Sequence, residues 1–379
     1  MVSRFILLSL SLLLLFSCGK EQTRPTSPNP GGGNPTSRAG TKIIQDEFEG
    51  LPLVLVGSNS DNFMLAFERQ LADGTVLDFE PMIQAYPSLF KDNEGNQWDI
   101  FGRAVAGPRK GQQLVQVHSY IGFWFAFGTM YPGVELYDGA AYSGDFQQNG
   151  PESGWTIPTN HVISSLGIDG IPAVDEPVFE AFSSRDAINN GYFVADDEIV
   201  VGIQMDGEIH LYPTSILNWH EIVNDQIGNT HFCMSFCPLT ATSIAWDRDM
   251  DDGVTTFGIS GLLYNSNVMP YDRKTNSFWS QMREDCVRGP LIGQQMARYP
   301  CVETTWSTWK KILSSPLVLT QDTGFGKKYD INPYESYIND NSYLSYPVEY
   351  DDPRVPRKER VLGVIVNGKA KAYRFKDFE

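Results

Sequence analysis

Three of the five histidines, His210, His220 and His231, lie within 28 residues that also hold two of the five cysteines, Cys233 and Cys237. Imidazole and thiolate are the usual ligands of zinc and copper. His220, Cys237, Cys233 and His231 are therefore candidate ligands of a soft-metal (copper or zinc) or thiol site. If 231–237 is an extended strand, His231 and Cys233 share a face about 7 Å apart, close enough for one ion. Cys233 and Cys237 then stand about 13 Å apart and need a turn near Pro238 to meet. On a helix over 214–224, His220 shares a face with Ile216, Leu217 and Val223 and points to the core. A hydrogen-bonded core histidine is the competing reading. Glu221 and Asp225 form an acidic i, i+4 pair on the neighbouring face and are expected in solvent. His118, His161 and His210 are more isolated and carry no assigned role.

Other motifs support chemistry less well. Asp322-Thr323-Gly324 follows an apolar run, as in aspartic proteases, but that chemistry needs a second carboxylate to share the proton. The position 182 residues earlier is Ala140. No serine nucleophile elbow, Walker loop or His-Glu-x-x-His is present. Most enzyme classes thus lack support.

The elements that must position these residues repeat. Gly107-Pro108-Arg109-Lys110-Gly111-Gln112-Gln113-Leu114 recurs as Gly289-Pro290-Leu291-Ile292-Gly293-Gln294-Gln295-Met296, 182 residues later. At that offset Trp124 matches Trp306 and Phe127 matches Trp309, while Asp92 with Trp98 parallels Asp272 with Trp279. A feature present twice is best explained by the fold, so the Gly-Pro-x-x-Gly-Gln-Gln segment reads as a turn rather than a phosphate cradle. A hairpin signal over 200–213, turning at Asp206-Gly207, recurs over 361–375 at Asn367-Gly368. The second hairpin lies at the C-terminus, where it can supply what the first long module lacks. The expected fold is α+β and strand-dominated, an internally duplicated pseudo-twofold architecture with the C-terminal hairpin closing onto the N-terminal module. Strands are expected near 53–56, 64–67, 76–79, 114–117, 254–259 and 317–319. Helices are expected near 122–130, 180–188, 214–224 and 304–313.

The 379 residues carry a net charge of −17, with 41% hydrophobic and 12% aromatic residues. That composition supplies a core and excludes global disorder. The charge, with no dense basic run, argues against nucleic acid as a partner. Arg4 precedes an apolar run from Phe5 to Phe16, too short to span a bilayer and suited to a secretory signal over 1–17. Leu15-Phe16-Ser17-Cys18 resembles a bacterial lipobox, which implies cleavage before Cys18 and its lipidation. Residues 18–42 then read as a flexible tether rich in Pro, Gly, Ser and Thr. The domain reading is a first repeat half over 43–195 and a second over 196–379 that includes the closing hairpin. This places the protein in the cell envelope, lipid-anchored and extracytoplasmic, facing the periplasm or the surface. Cys233, Cys237, Cys286 and Cys301 remain, and four cysteines in an oxidising compartment allow three disulfide pairings.

Many short blocks in order carry a resemblance. Among them are Ile216-Leu217-Asn218-Trp219-His220-Glu221, Cys237-Pro238-Leu239, Asp247-Arg248, Ser260-Gly261-Leu262-Leu263-Tyr264-Asn265-Ser266, Tyr271-Asp272-Arg273, Trp279-Ser280-Gln281 and Asn332-Pro333-Tyr334. From about residue 165 to the C-terminus the chain resembles bacterial domain-of-unknown-function family 3179. The resemblance implies an exported protein and brings no activity with it. Its members usually read Cys-Pro-Leu-Cys-Gly-Thr where this chain has Cys237-Pro238-Leu239-Thr240-Ala241-Thr242. A second thiol at that loop is thus replaced by Thr240, with Cys233 as a substitute from the other side. Two functions follow as expectations. One is a soft-metal or thiol site in the second half; the other is a non-catalytic binding or scaffold lipoprotein with a ligand cleft between the halves.

Overall fold

Asp206 and Gly207 have φ of 51° and 86°, and Asn367 and Gly368 have 51° and 76°. Two consecutive positive φ values are what a two-residue hairpin turn needs, and Asp-Gly and Asn-Gly reach them at least cost. Two hairpins result in the computed structural model, Ile199–Met205 with Glu208–Pro213 and Arg360–Val366 with Lys369–Arg374. The model describes residues 40–83, 85–140, 150–182, 194–251 and 253–379. The expected signal, the lipidated Cys18 and most of the tether lie outside the described residues.

Each hairpin is the centre of a sheet with the same neighbours. The first arm of the earlier hairpin pairs antiparallel with Val302–Thr305, and its second arm pairs parallel with Leu317–Leu319. The first arm of the C-terminal hairpin pairs antiparallel with Ser119–Phe123, and its second arm parallel with Glu135–Leu136. A short helix leaves each flanking strand, α1 (Trp124–Met130) after Phe123 and α3 (Trp306–Ile312) after Thr305. In both sheets a glycine of the first arm admits an aromatic ring from that helix. A Cβ on Gly202 would collide with Trp309, and one on Gly363 with Phe127.

Two further sheets answer the repeated Asp and Trp. The Trp98 indole donates to Asp92 Oδ2 at 3.0 Å, and the Trp279 indole donates to Asp272 Oδ2 at 3.2 Å. Both indoles are fully buried, so each needs such an acceptor. The C-terminal hairpin packs against Leu51–Ser58 and Phe63–Glu68, burying Leu362, Val364 and Tyr373 with Leu53, Leu55 and Met64. The Tyr373 hydroxyl donates to Asp46 at 2.7 Å. The molecule is α+β and strand-dominated.

Several expected elements differ, among them the strand near 76–79, which begins only at Phe79. The helix near 214–224 ends early: α2 is Thr214–His220, Glu221 turns to φ 57°, and Ile222–Ile227 is a strand. The β-branched Ile222 and Val223 favour that strand, and a left-handed residue ends the helix as a C-cap does. Residues 114–117 form no strand, since Phe67 with Gln116 is an isolated bridge. Phe179–Ala181 is a strand at the start of the helix expected near 180–188, most of which lies outside the described residues.

Candidate functional site

Thr230–Cys237 is an extended strand between Ile222–Ile227 and Thr242–Asp247. His231, Cys233 and Cys237 therefore sit on one strand at intervals of two and four residues, and no turn folds the cysteines together. Cys233 is fully buried opposite Asn224 and Trp246, and burial pushes its thiol far above the usual range. Cys237 is raised to about 11, by burial first and then by the Glu221 carboxylate. Cys286 rises to about 11 and Cys301 to about 12, again chiefly through burial. All four are free thiols.

His220 is fully buried with both ring nitrogens occupied. Nδ1 lies 2.7 Å from the Pro172 carbonyl, which can only accept, so Nδ1 carries the proton. Nε2 then accepts from the Tyr329 hydroxyl at 2.7 Å. Burial holds this imidazole below its usual pKa and neutral. No nitrogen lone pair is left for an ion. His231 Nδ1 stands 3.6 Å from Asp249, beyond hydrogen-bond length. Among the described residues no three His, Cys, Asp or Glu converge on a point that an ion could occupy. The four candidate ligands are near in sequence and are not assembled.

Two acids expected in solvent are buried. Glu221 and Asp225 are each only 6% exposed, because the early end of α2 carries them into the sheet. Burial raises the Glu221 carboxyl to about 7, against a single hydrogen bond of 3.3 Å from the Tyr334 hydroxyl. Asp225 Oδ2 pairs with His210 Nδ1 at 2.7 Å and accepts the Tyr212 hydroxyl at 2.5 Å. His210 Nε2 reaches Glu208 at 2.8 Å. Burial works to lower the His210 pKa, but the two carboxylates outweigh it and the ring is raised. His118, like His210 without an expected role, has a carboxylate partner too: its Nε2 is 2.7 Å from Glu284.

That last pair flanks a cleft. It is lined by Gln116, Ser119 and Tyr120 together with Ser243, Glu284, Arg298, Cys301 and Glu303. Met64, Ile121 and Leu362 give it an apolar part. Its interior has only about 20 Å³ of water-sized space, and it widens to solvent at its mouth. Glu303 Oε2 accepts from Arg360 at 2.7 Å, while burial raises its carboxyl. The Arg298 guanidinium makes no hydrogen bond among the described residues. Its sole ionic partner there is Glu284, at 3.8 Å. Ser243 Oγ, in a residue only 2% exposed, has no hydrogen-bond partner of ordinary geometry, although it lies beside Glu303. These groups come from distant parts of the chain, so no local spacing signals them.

Fold and site together define a strand-dominated α+β protein with a narrow polar cleft and buried thiols. The model of a family described as "Protein of unknown function (DUF3179)" matches residues 168–379, over half of the chain, and the chain belongs to that family. No curated protein and no solved structure matches it. Among the described residues no helix is long and apolar enough to cross a membrane.

Proposed function

We propose that the protein is an exported, lipid-anchored binding module, without chemistry of its own, whose ligand occupies the cleft between two related halves, 43–195 and 196–379. The observation that carries this reading is the cleft itself. Polar groups from 116–120 and from 243–303 line it together, and among the described residues the Arg298 guanidinium makes no hydrogen bond. Buried polar groups are normally satisfied, so such a vacancy favours a ligand. The duplication is supported by the two hairpin sheets, which share the order of four strands, the first having a fifth, Phe179–Ala181, and by the matched Asp–Trp bonds. The closing role of the C-terminal hairpin is supported by its packing on Leu51–Ser58.

Anchorage rests on the sequence, with Cys18 as the lipid attachment and the membrane as its partner. An acyl-chain probe should label the wild type and not Cys18→Ala. The soft-metal reading at His220, Cys237, Cys233 and His231 has less support, because a thiolate ligand must form where burial opposes it. Copper or zinc in the purified protein, lost on Cys237→Ser, would restore it. The binding reading is tested by a thermal-shift screen of metabolites and glycans. Stabilisation that a bulky Ser243→Trp variant abolishes is expected. A ligand that stabilises both proteins equally would exclude the cleft.

A further inference from the structure

We propose that the cleft takes a small zwitterion of the α-amino-acid type, its carboxylate held by Arg298 and its ammonium by Glu303 and Glu284. This rests on the cleft being a ligand site and adds the class of ligand. Arg298 decides the anionic end. A guanidinium carries five donors in a fixed planar fork and stays charged. In this chain that fork, 20% exposed at the cleft, has one ion-pair contact at 3.8 Å and no hydrogen bond among the described residues. A planar two-oxygen anion is its natural complement. The buried Ser243 hydroxyl lies beside Glu303 at the same site.

The carboxylates decide the other end. Glu284 and Glu303 are both buried, and Arg360 bonds only Oε2 of Glu303. An ammonium brings three donors and no acceptor, which suits the remaining carboxylate lone pairs. The Cys301 thiol feels Glu303, Arg298 and Glu284 together, so the three address one region rather than three separate surfaces. A ligand neutral overall adds no net charge to a site where Glu303 already accepts from Arg360 and Glu284 lies 2.7 Å from His118. The interior, about 20 Å³ of water-sized space, is smaller than an amino acid, so the head group is held at the open mouth. Met64, Ile121 and Leu362 leave an apolar place for a small side chain. A polyol could use the same hydrogen-bonding groups, but it gives the charged fork nothing to neutralise.

The test is calorimetric titration of the purified protein with glycine, alanine and leucine, against acetate, methylamine and glycerol. An amino acid should bind about 10- to 100-fold more tightly than acetate or methylamine, since each lacks one charged end. Arg298→Gln, at a partly exposed position without hydrogen bonds, should lose a similar factor while its melting curve stays unchanged. Acetate binding as well as alanine overturns the zwitterion in favour of a simple anion site. Glycerol binding with Arg298→Gln indifferent overturns it while the cleft reading stands. No binding by any of the six overturns it as well, and the metabolite screen then judges the cleft separately.

Discussion

The His220–Asp225 segment and the cleft are both rich in charged and hydrogen-bonding groups, yet they treat those groups in opposite ways. Around His220 and Asp225 the imidazoles are bonded at both nitrogens and one carboxylate oxygen serves two donors. In the cleft the Arg298 guanidinium makes no hydrogen bond among the described residues. The difference separates reactive residue types from available ones. Imidazole and thiol are chemically versatile, but here their hydrogen bonds hold strands, loops and α2 together. Truncation should therefore destabilise the first region and change only binding in the second.

The largest effect should come from Asp225→Ala. It strands His210 and Tyr212, and losing one partner of a buried pair costs about 3–5 kcal/mol. Its pH dependence sharpens the comparison. His210 has a raised folded pKa, so its stabilising contribution is complete below the unfolded value near 6.5 and fades as pH rises through the folded one. Urea denaturation should show a larger deficit at pH 5 than at pH 9. A deficit independent of pH would mean that His210 does not charge. His220→Ala comes next, at about 3 kcal/mol, from the lost ring packing and from leaving the Pro172 carbonyl and Tyr329 hydroxyl unpaired. A variant as stable as the wild type would remove His220 from the structural side.

Glu221 tests the same contrast with the opposite sign. Its folded pKa of about 7 lies above the unfolded value, so the native state holds the proton more tightly. Stability should fall as pH rises from about 4.5 to 7, by up to about 3 kcal/mol. Glu221→Gln cannot ionise. It should match the wild type near pH 4 and exceed it by up to about 3 kcal/mol at pH 8. If the variant is no more stable at pH 8, the buried carboxyl has a role that compensates its burial.

How far the chain could be read from its residues follows the range of each constraint. Asp206-Gly207 and Asn367-Gly368 were legible because a hairpin turn is a local demand on two φ angles. The family was legible because many short blocks occur in order. The end of α2 was not, since Ile216, Leu217, His220 and Val223 fit a helical face while the left-handed Glu221 gives no warning in its residue type. Glu221 and Asp225 were consequently misplaced in solvent. Clustering of His and Cys put His231, Cys233 and Cys237 on one strand, with His220 on α2. The cleft lay beyond any spacing rule, because Tyr120, Ser243, Glu284 and Arg298 meet only after the sheets are packed.

Arg298→Gln should have the smallest effect on stability, and for that reason it discriminates best. Among the described residues the guanidinium makes no hydrogen bond, and its one ion pair is loose at 3.8 Å. With no hydrogen bond lost, the substitution should cost less than about 1 kcal/mol. Its melting temperature should therefore equal that of the wild type while binding in the cleft is lost. If Arg298→Gln instead melts like His220→Ala, the guanidinium supports the fold. The two regions would then differ only in how completely their polar groups are bonded, and the cleft would lose its main claim to a ligand. Equal stability with altered binding would make the vacancy at Arg298 functional rather than accidental.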